Sequence, residues 1–419
     1  MEFPRLFSPI TIRGMTLKNR VVMPAIHHLY TPDGFCTERF SQYYWKRAEG
    51  GAGLVITGGC RFEGHGGSTA MMSLQSDAYI PGYRIFTDGM HQRGAKVAVQ
   101  LYHAGRYAKR KNIEGGDAPL APSAVYAKYS GEMPRAMTEE DIHAVIQAWC
   151  AAAVRAQKAG FDAVELVGSA GYLISQFLSP LTNLRTDSYG GTPEKRRRFP
   201  LELLLAVRAA VGPDYPILLR VSGNDFVPGS NTNEQAVAFC QEAEAAGVDL
   251  FNVTGGWHET KIPQLPGEVP RGQFSYLAAA IKRGVHVPVM VCNRIHNPAL
   301  AEEMLALERG DLVGIGRPFI ADPMWAKKAM LGHPEDIRPC MSCNQGCLAK
   351  TFFGQPVECL VNGWVGREGR EPPAEKTRHP QKLLVVGGGP GGCECAIEAA
   401  ERGHRVALLP RSGAVGGEL

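Results

Sequence analysis

No apolar run in the 419-residue chain is long enough to span a bilayer, which at about 20 residues per crossing excludes a transmembrane helix. The N-terminus, Met1-Glu-Phe-Pro-Arg-Leu-Phe-Ser-Pro-Ile10, lacks the charged lead, apolar core and cleavage site of a secretory signal. A cytoplasmic location is the expectation. Charge of one sign is also scarce: 45 Lys and Arg against 41 Asp and Glu leave a formal +4, too little to argue for a nucleic-acid partner. The remaining partners are a small-molecule substrate and, at most, further copies of the chain in a homo-oligomer. With 44% hydrophobic and 21% charged residues, the composition is that of a globular protein.

Cysteine, by contrast, is concentrated. Four of the eleven fall in Cys340-x2-Cys343-x3-Cys347-x11-Cys359, and such a cluster in a reducing compartment argues for a metal. Structural zinc usually takes paired Cys-x2–4-Cys knuckles. Closely spaced cysteines plus a distant fourth are the habit of iron–sulfur clusters, so the spacing favours iron–sulfur. Cys36, Cys60, Cys150, Cys240 and Cys292 are scattered and are expected to be buried packing thiols.

Before the cluster, a short opening alternates like a hairpin around Arg13-Gly14. Runs rich in Val, Ile and Leu then recur at 21–26, 53–58, 96–102, 163–167, 217–222, 250–254, 287–291 and 312–316. Such runs fit strands buried on both faces of a parallel sheet. Helical patterns lie between them, opened by Thr138-Glu-Glu-Asp141, Asn233 and Asn297-Pro298 and stopped at Gly160, Gly247 and Gly310. Eight alternations over about 320 residues fit a (β/α)8 TIM barrel. A doubly wound sheet is disfavoured, because no glycine-rich turn follows the first strand.

The strand ends deliver polar residues to what would be the barrel mouth, among them Gln100, Tyr172, Arg220, His258, Arg294 and Arg317. Arg294 and Arg317 end the last two strands, where barrels commonly hold a phosphate. Arg220 needs a counter-charge in a dry wall, and Gln100 could offer an amide to the same group. After a charged, proline-containing linker, Lys382-Leu-Leu-Val-Val386 runs into Gly387-Gly-Gly389-Pro-Gly-Gly392 and an alanine-rich helix. Strand, Gly-x-Gly-x-x-Gly and helix in succession form a dinucleotide fingerprint. The acid that would hold a ribose should fall near Pro410, and is missing.

Several motifs together carry a resemblance. They are Asn19-Arg20-Val-Val-Met-Pro24, Val99-Gln100-Leu-Tyr-His-Ala-Gly105, Gly171-Tyr172-Leu-Ile-Ser-Gln-Phe-Leu-Ser-Pro180 and Asn183-Leu-Arg-Thr-Asp187-Ser-Tyr-Gly-Gly191. Trp257-His258-Glu259, Gly316-Arg317-Pro-Phe and Cys343-Asn-Gln-Gly-Cys347 continue them in order. Residues 1 to about 365 resemble the old yellow enzyme superfamily of FMN barrels. The match is to the branch with an iron–sulfur cluster and a further dinucleotide-binding region, which includes bacterial 2,4-dienoyl-CoA reductase and trimethylamine dehydrogenase. The resemblance implies noncovalent FMN, since His27 stands near the position of the flavin-anchoring cysteine in the amine dehydrogenase. FMN would contact Pro24, Ala25 and Ile26 by backbone, Gln100 and Arg220 at the ring, and Arg294, Gly316 and Arg317 at the phosphate. It implies a 4Fe-4S cluster on Cys340, Cys343, Cys347 and Cys359. FAD and NAD(P)H would be further cofactors if the C-terminal domain is complete in the native protein, with Gly387, Gly389 and Gly392 at the pyrophosphate.

Tyr172 and His258 match the proton donor and its partner in the dienoyl-CoA reductase. The expected activity is therefore NAD(P)H-dependent reduction of an activated C=C bond. The substrate-gripping His-x-x-His or His-x-x-Asn of many old yellow enzymes falls on Val167 and Ala170, and the reductase's thioester-binding arginine falls on Leu181. Two alternatives stand beside this: an N-methyl amine dehydrogenase or demethylase with Tyr30, Tyr102 and Trp257 as a cation cage, and an electron-transfer flavoprotein subunit that needs a partner. The expected domains are an FMN barrel over 1–335, a 4Fe-4S segment over 336–366, a linker over 367–380 and a partial FAD/NAD(P)-binding domain over 381–419.

Overall fold

The computed structural model describes residues 2–262, 264–370, 376–411 and 413–416; the centre of the expected linker, 371–375, lies outside them. Two compact units are present, Met1–Gly369 and Arg370–Leu419. The first contains both the barrel and the cysteine segment.

Eight parallel strands form the barrel: β1 (Val21–Met23), β2 (Leu54–Arg61), β3 (Lys96–Leu101), β4 (Ala163–Gly168), β5 (Ile217–Ser222), β6 (Leu250–Thr254), β7 (Val289–Val291) and β8 (Leu312–Gly314). β1 pairs with β8 on one side and β2 on the other, closing the sheet. The helices form where the capping chemistry lies. Thr138 and Asp141 make a capping box on α3 (Glu139–Lys158), after α1 (Glu38–Glu49) and α2 (Ile80–Gln92). Ile142, Val145, Ile146 and Trp149 of α3 are buried against the barrel, as the 3.6-residue period requires. Gly160, in the left-handed region at φ 83°, follows α3.

The opening hairpin, Ile10–Ile12 with Met15–Leu17, floors the barrel. Ile12, Met15 and Leu17 pack with Val22, Leu54, Ala98, Ala163, Leu218, Leu250, Met290 and Leu312 from all eight strands. This apolar layer supports the site above it.

Candidate active site and cysteine centre

Side chains two apart on a strand share a face, so one step up from the floor the barrel interior changes character. Ala98 gives way to Gln100, Ala163 to Glu165, Leu218 to Arg220, Leu250 to Asn252 and Met290 to Cys292. Gln100 is in register with Glu165 and Arg220 with Asn252. Gln100 Nε2 and Asn252 Nδ2 each donate to the fully buried Glu165 carboxylate at 2.7 Å. Cys292 Sγ donates to Asn252 Oδ1 at 3.1 Å. Burial raises the Glu165 pKa, and the Arg220 guanidinium opposes the shift. Arg220 thus has its counter-charge, while its Nε is buried without a hydrogen-bond partner. Glu165 and Asn252 had no place among the sequence-stated site residues. The signal was there: a glutamate in Ala-Val-Glu165-Leu-Val interrupts a strand that is otherwise apolar.

Above this layer opens a cavity of about 1050 Å³. Pro24, Ala25, Ile26, Gln100, Tyr172, Arg220, His258, Arg294, Gly316 and Arg317 all line it, with His27, Val167 and Ala170. His28 instead stacks on Tyr30 at 4.4 Å within a packed aromatic group that includes Tyr43 and Tyr44. Of the three residues considered for a cation cage, only Tyr102 lines the cavity. Tyr30 is buried and donates its hydroxyl to the Val357 carbonyl, and Trp257 is buried in the wall.

Tyr172 and His258 come from different loops, joined by an isolated parallel bridge between Ala170 and Trp257. Ala170 and Gly171 are both left-handed, at φ 60° and 84°. A Cβ on Gly171 would sit 2.7 Å from Tyr107 Oη and 3.0 Å from the Trp257 ring, so this turn needs glycine. The result is a Tyr172 Oη to His258 Nε2 distance of 2.7 Å. Tyr129 stacks on the imidazole at 4.6 Å and 11°, and Glu259 is anchored next door by Arg106 and the Tyr107 hydroxyl. Burial, then the charge of Arg220, lowers the His258 pKa to about 4. The imidazole is therefore neutral at pH 7. Burial raises the Tyr172 pKa, so the phenol keeps its proton until a stronger base takes it. Such a pair can hold and deliver one proton at a defined point.

Five cationic side chains line the cavity, Lys109, Lys111, Arg220, Arg294 and Arg317, and none of its described lining residues is Asp or Glu. Burial depresses the Arg294 pKa, and the like charges of Arg317 and Arg271 add to this. A wall with this excess of positive charge fits an anionic phosphate group. The two arginines differ, however. Arg294 donates from Nε to Val269 O, from Nη2 to Gly267 O and from Nη1 to Ser342 Oγ at 2.5 Å. It thereby braces the loop after β6 and the cysteine segment. Arg317 uses Nη1 on Leu265 O and Asn344 Oδ1.

Cys340, Cys343, Cys347 and Cys359 surround one small hollow with Asn344, Gly346 and Arg317. Among the described residues only His333, Glu335 and Asp336 bring three ligand atoms within 4.8 Å of one another. No three of the four thiols approach that closely, whereas zinc with bonds of about 2.3 Å would set its sulfurs about 3.8 Å apart. Four thiols around one hollow make a sulfur-only donor set, the chemistry that iron–sulfur clusters use. Ser342 and Asn344 are left-handed, at φ 56° and 59°, and wind the segment back on itself. Glu358 N donates to Gly346 O at 2.6 Å, and a Cβ on Gly346 would lie 3.0 Å from Cys359 Cα. Glycine here lets the distant fourth cysteine reach the other three. Arg317, Ile320, Asn344 and Cys347 line both this hollow and the large cavity, so the two share a wall.

In the second unit β9 (Lys382–Val386) and β10 (Arg405–Leu409) are parallel, with helix Pro390–Glu401 between them. Gly387 has φ 115°, and a Cβ on Gly392 would lie 1.8 Å from Gly387 O. Both are glycines by necessity. Pro410 and Arg411 follow β10 where an acid would hold a ribose.

Comparison with known proteins agrees with this architecture. Residues 382–419 match a family of FAD-dependent oxidoreductases. The chain is 50% identical over 99% of its length to a metal reductase of Desulforamulus reducens, and 41% identical over all of it to an NADH oxidase of Thermoanaerobacter brockii. It spans 62% and 65% of those two proteins. A solved 2-naphthoyl-CoA reductase, in complex with 2-naphthoyl-CoA, superposes with a TM-score of 0.95 at 36% identity over 99% of this chain and 66% of that one. With residues 5–336 matching its model, the chain belongs to the NADH:flavin oxidoreductase / NADH oxidase family, a branch of the old yellow enzyme superfamily.

Proposed function

We propose that the protein uses electrons from NAD(P)H to reduce an activated C=C bond conjugated to a carbonyl. The observation that carries this is the Tyr172–His258 pair at 2.7 Å in a cavity whose described charged lining groups are all cationic. Noncovalent FMN held in that cavity would supply hydride to the β-carbon. Pro24, Ala25 and Ile26 would seat it by backbone, Gln100 and Arg220 would face its ring, and Arg317, Gly316 and the Arg294 loop would hold its phosphate. Tyr172 Oη gives its proton to the α-carbon of the resulting enolate. Neutral His258 with its hydrogen on Nε2 donates to Tyr172 Oη, which leaves the phenol proton free for the carbon, holds the phenol in place and steadies the phenolate that forms. Cys340, Cys343, Cys347 and Cys359 would hold a 4Fe-4S cluster that passes electrons through the shared wall. The Gly387, Gly389 and Gly392 turn would sit at a pyrophosphate, with FAD as the candidate.

Oxidation of a cationic N-methyl amine is the weaker reading, because no described carboxylate lines the cavity and two of the three cage aromatics are buried outside it. Electron release to a metal oxidant is a second reading, favoured by the 50% identity to a metal reductase. It needs no proton donor at carbon.

An anaerobic titration separates these readings. Dithionite-reduced protein should be reoxidised by 2-cyclohexenone, and oxidised protein should not be bleached by dimethylglycine. Bleaching by the amine with no reoxidation by the enone would overturn the proposal. Reoxidation by Fe(III)-citrate alone would favour the metal reading.

A further inference from the structure

The outer part of the cavity holds groups that the chemistry above does not use. Lys109 and Lys111, in the loop after β3, are exposed and line it, with Asn112 half-buried beside them. Among the described residues neither ammonium has a carboxylate partner. Among the described residues, Glu132 accepts from the Arg110 backbone N–H, Glu259 pairs with Arg106, and Asp117 lies 3.9 Å from His65. Phe352 and Phe353 line the same cavity from the turn that follows Cys347, and are 50% and 79% exposed. Phe352 lies edge-on to Tyr129 at 6.2 Å and to His258 at 6.3 Å. Tyr129 is itself stacked on His258. The aromatic group thus reaches from the proton-donating pair out to solvent.

Exposed phenylalanines and lysines without a described carboxylate partner, lining one cavity, suit a ligand that is flat and apolar at one end and negatively charged at the other. We infer that this outer region is a specificity subsite for planar, conjugated acyl substrates carrying an anion. The rings of Phe352 and Tyr129 take the plane, and Lys109 and Lys111 take the charge. The anion is either the carboxylate of the free acid or the phosphates of a thioester's carrier. This rests on the alkene-reduction reading, which it narrows to a substrate class.

The test measures dissociation constants from flavin difference spectra of the oxidised, FMN-loaded protein. The probes are trans-3-(2-furyl)acrylate, its neutral methyl ester, its CoA thioester and trans-2-hexenoate. The K109Q/K111Q double variant should weaken the acid or the thioester about fivefold, as expected for two exposed ion pairs, and leave the ester within about twofold. Whichever anion weakens identifies the source of the charge. Phe352→Ala should weaken furylacrylate about threefold more than hexenoate. K109R/K111R should restore anion binding, and flavin and iron contents of each variant report its folding. Equal loss for ester and anions, or no loss for either anion, overturns the subsite. If the anions bind through the lysines yet do not reoxidise the reduced protein, the alkene-reduction reading fails and the subsite stands. If acid and ester are reduced alike in all lysine variants, the reverse holds.

Discussion

Arg220 and Glu165 put opposite charges into one polar layer, and the balance between them sets the field beneath the proposed flavin. Glu165 is fully buried and bonded by Gln100 and Asn252, so Glu165→Gln removes a negative charge while keeping shape and most hydrogen bonds. A reduced flavin is the more anionic form, so the variant should raise the flavin's two-electron potential by about 30 mV, roughly 1.4 kcal/mol. Spectroelectrochemistry measures it, and an unchanged or lower potential would place Glu165 outside that field. His258 gives a second prediction. Its folded pKa of about 4 lies below the ordinary value of 6.5, so between these the unfolded chain binds the extra proton and the folded chain does not. Stability contributed by the neutral imidazole is full above pH 6.5 and is lost as pH falls toward 4. Urea midpoints compared at pH 7.5 and 5 should fall less for His258→Asn than for the native chain. Glu165 and Asn252 were within reach of the sequence through the two-residue alternation of the strands. The partners of Arg294 were not, because Gly267 O, Val269 O and Ser342 Oγ lie 25 to 48 residues away on loops without a periodic pattern.

Two glycine turns set the chemistry at the scale of the element. Gly171 closes the loop after β4 against Tyr107 and Trp257, and so aims Tyr172 at His258. Gly171→Ala combines a left-handed backbone with a Cβ in contact with both neighbours, a strain of about 1–3 kcal/mol. It should slow alkene reduction while flavin content persists. Full activity would show that this turn does not set the loop. Gly346 does the same for the cysteine segment, where the chain carrying Cys359 passes against its Cα. Gly346→Ala should lower iron content measured anaerobically with FMN retained, and unaltered iron would contradict the packing argument. The eight strands were legible because each is a short run buried on both faces, a pattern that survives without knowledge of its neighbours. The Ala170–Trp257 bridge was not legible, since it joins two loops through backbone geometry alone.

At the scale of the whole molecule, a barrel floored by its own N-terminal hairpin opens into a cavity that shares a wall with the four-cysteine hollow. The motifs and the cysteine spacing announced both parts, and the comparisons place the chain in the expected family. Tyr30 is engaged by the Val357 carbonyl and Trp257 is buried, neither of which the sequence could show. Such competition for a side chain is settled only by tertiary packing. The central claim is that Tyr172, held by His258, delivers the proton in alkene reduction. The direct measurement is a rapid-reaction comparison of native and Tyr172→Phe protein, both reduced and then mixed with 2-cyclohexenone and, separately, Fe(III)-citrate. The account predicts reoxidation by the enone at least about 100-fold slower in the variant, with the ferric reaction unchanged. Equal enone rates in the two proteins would contradict it.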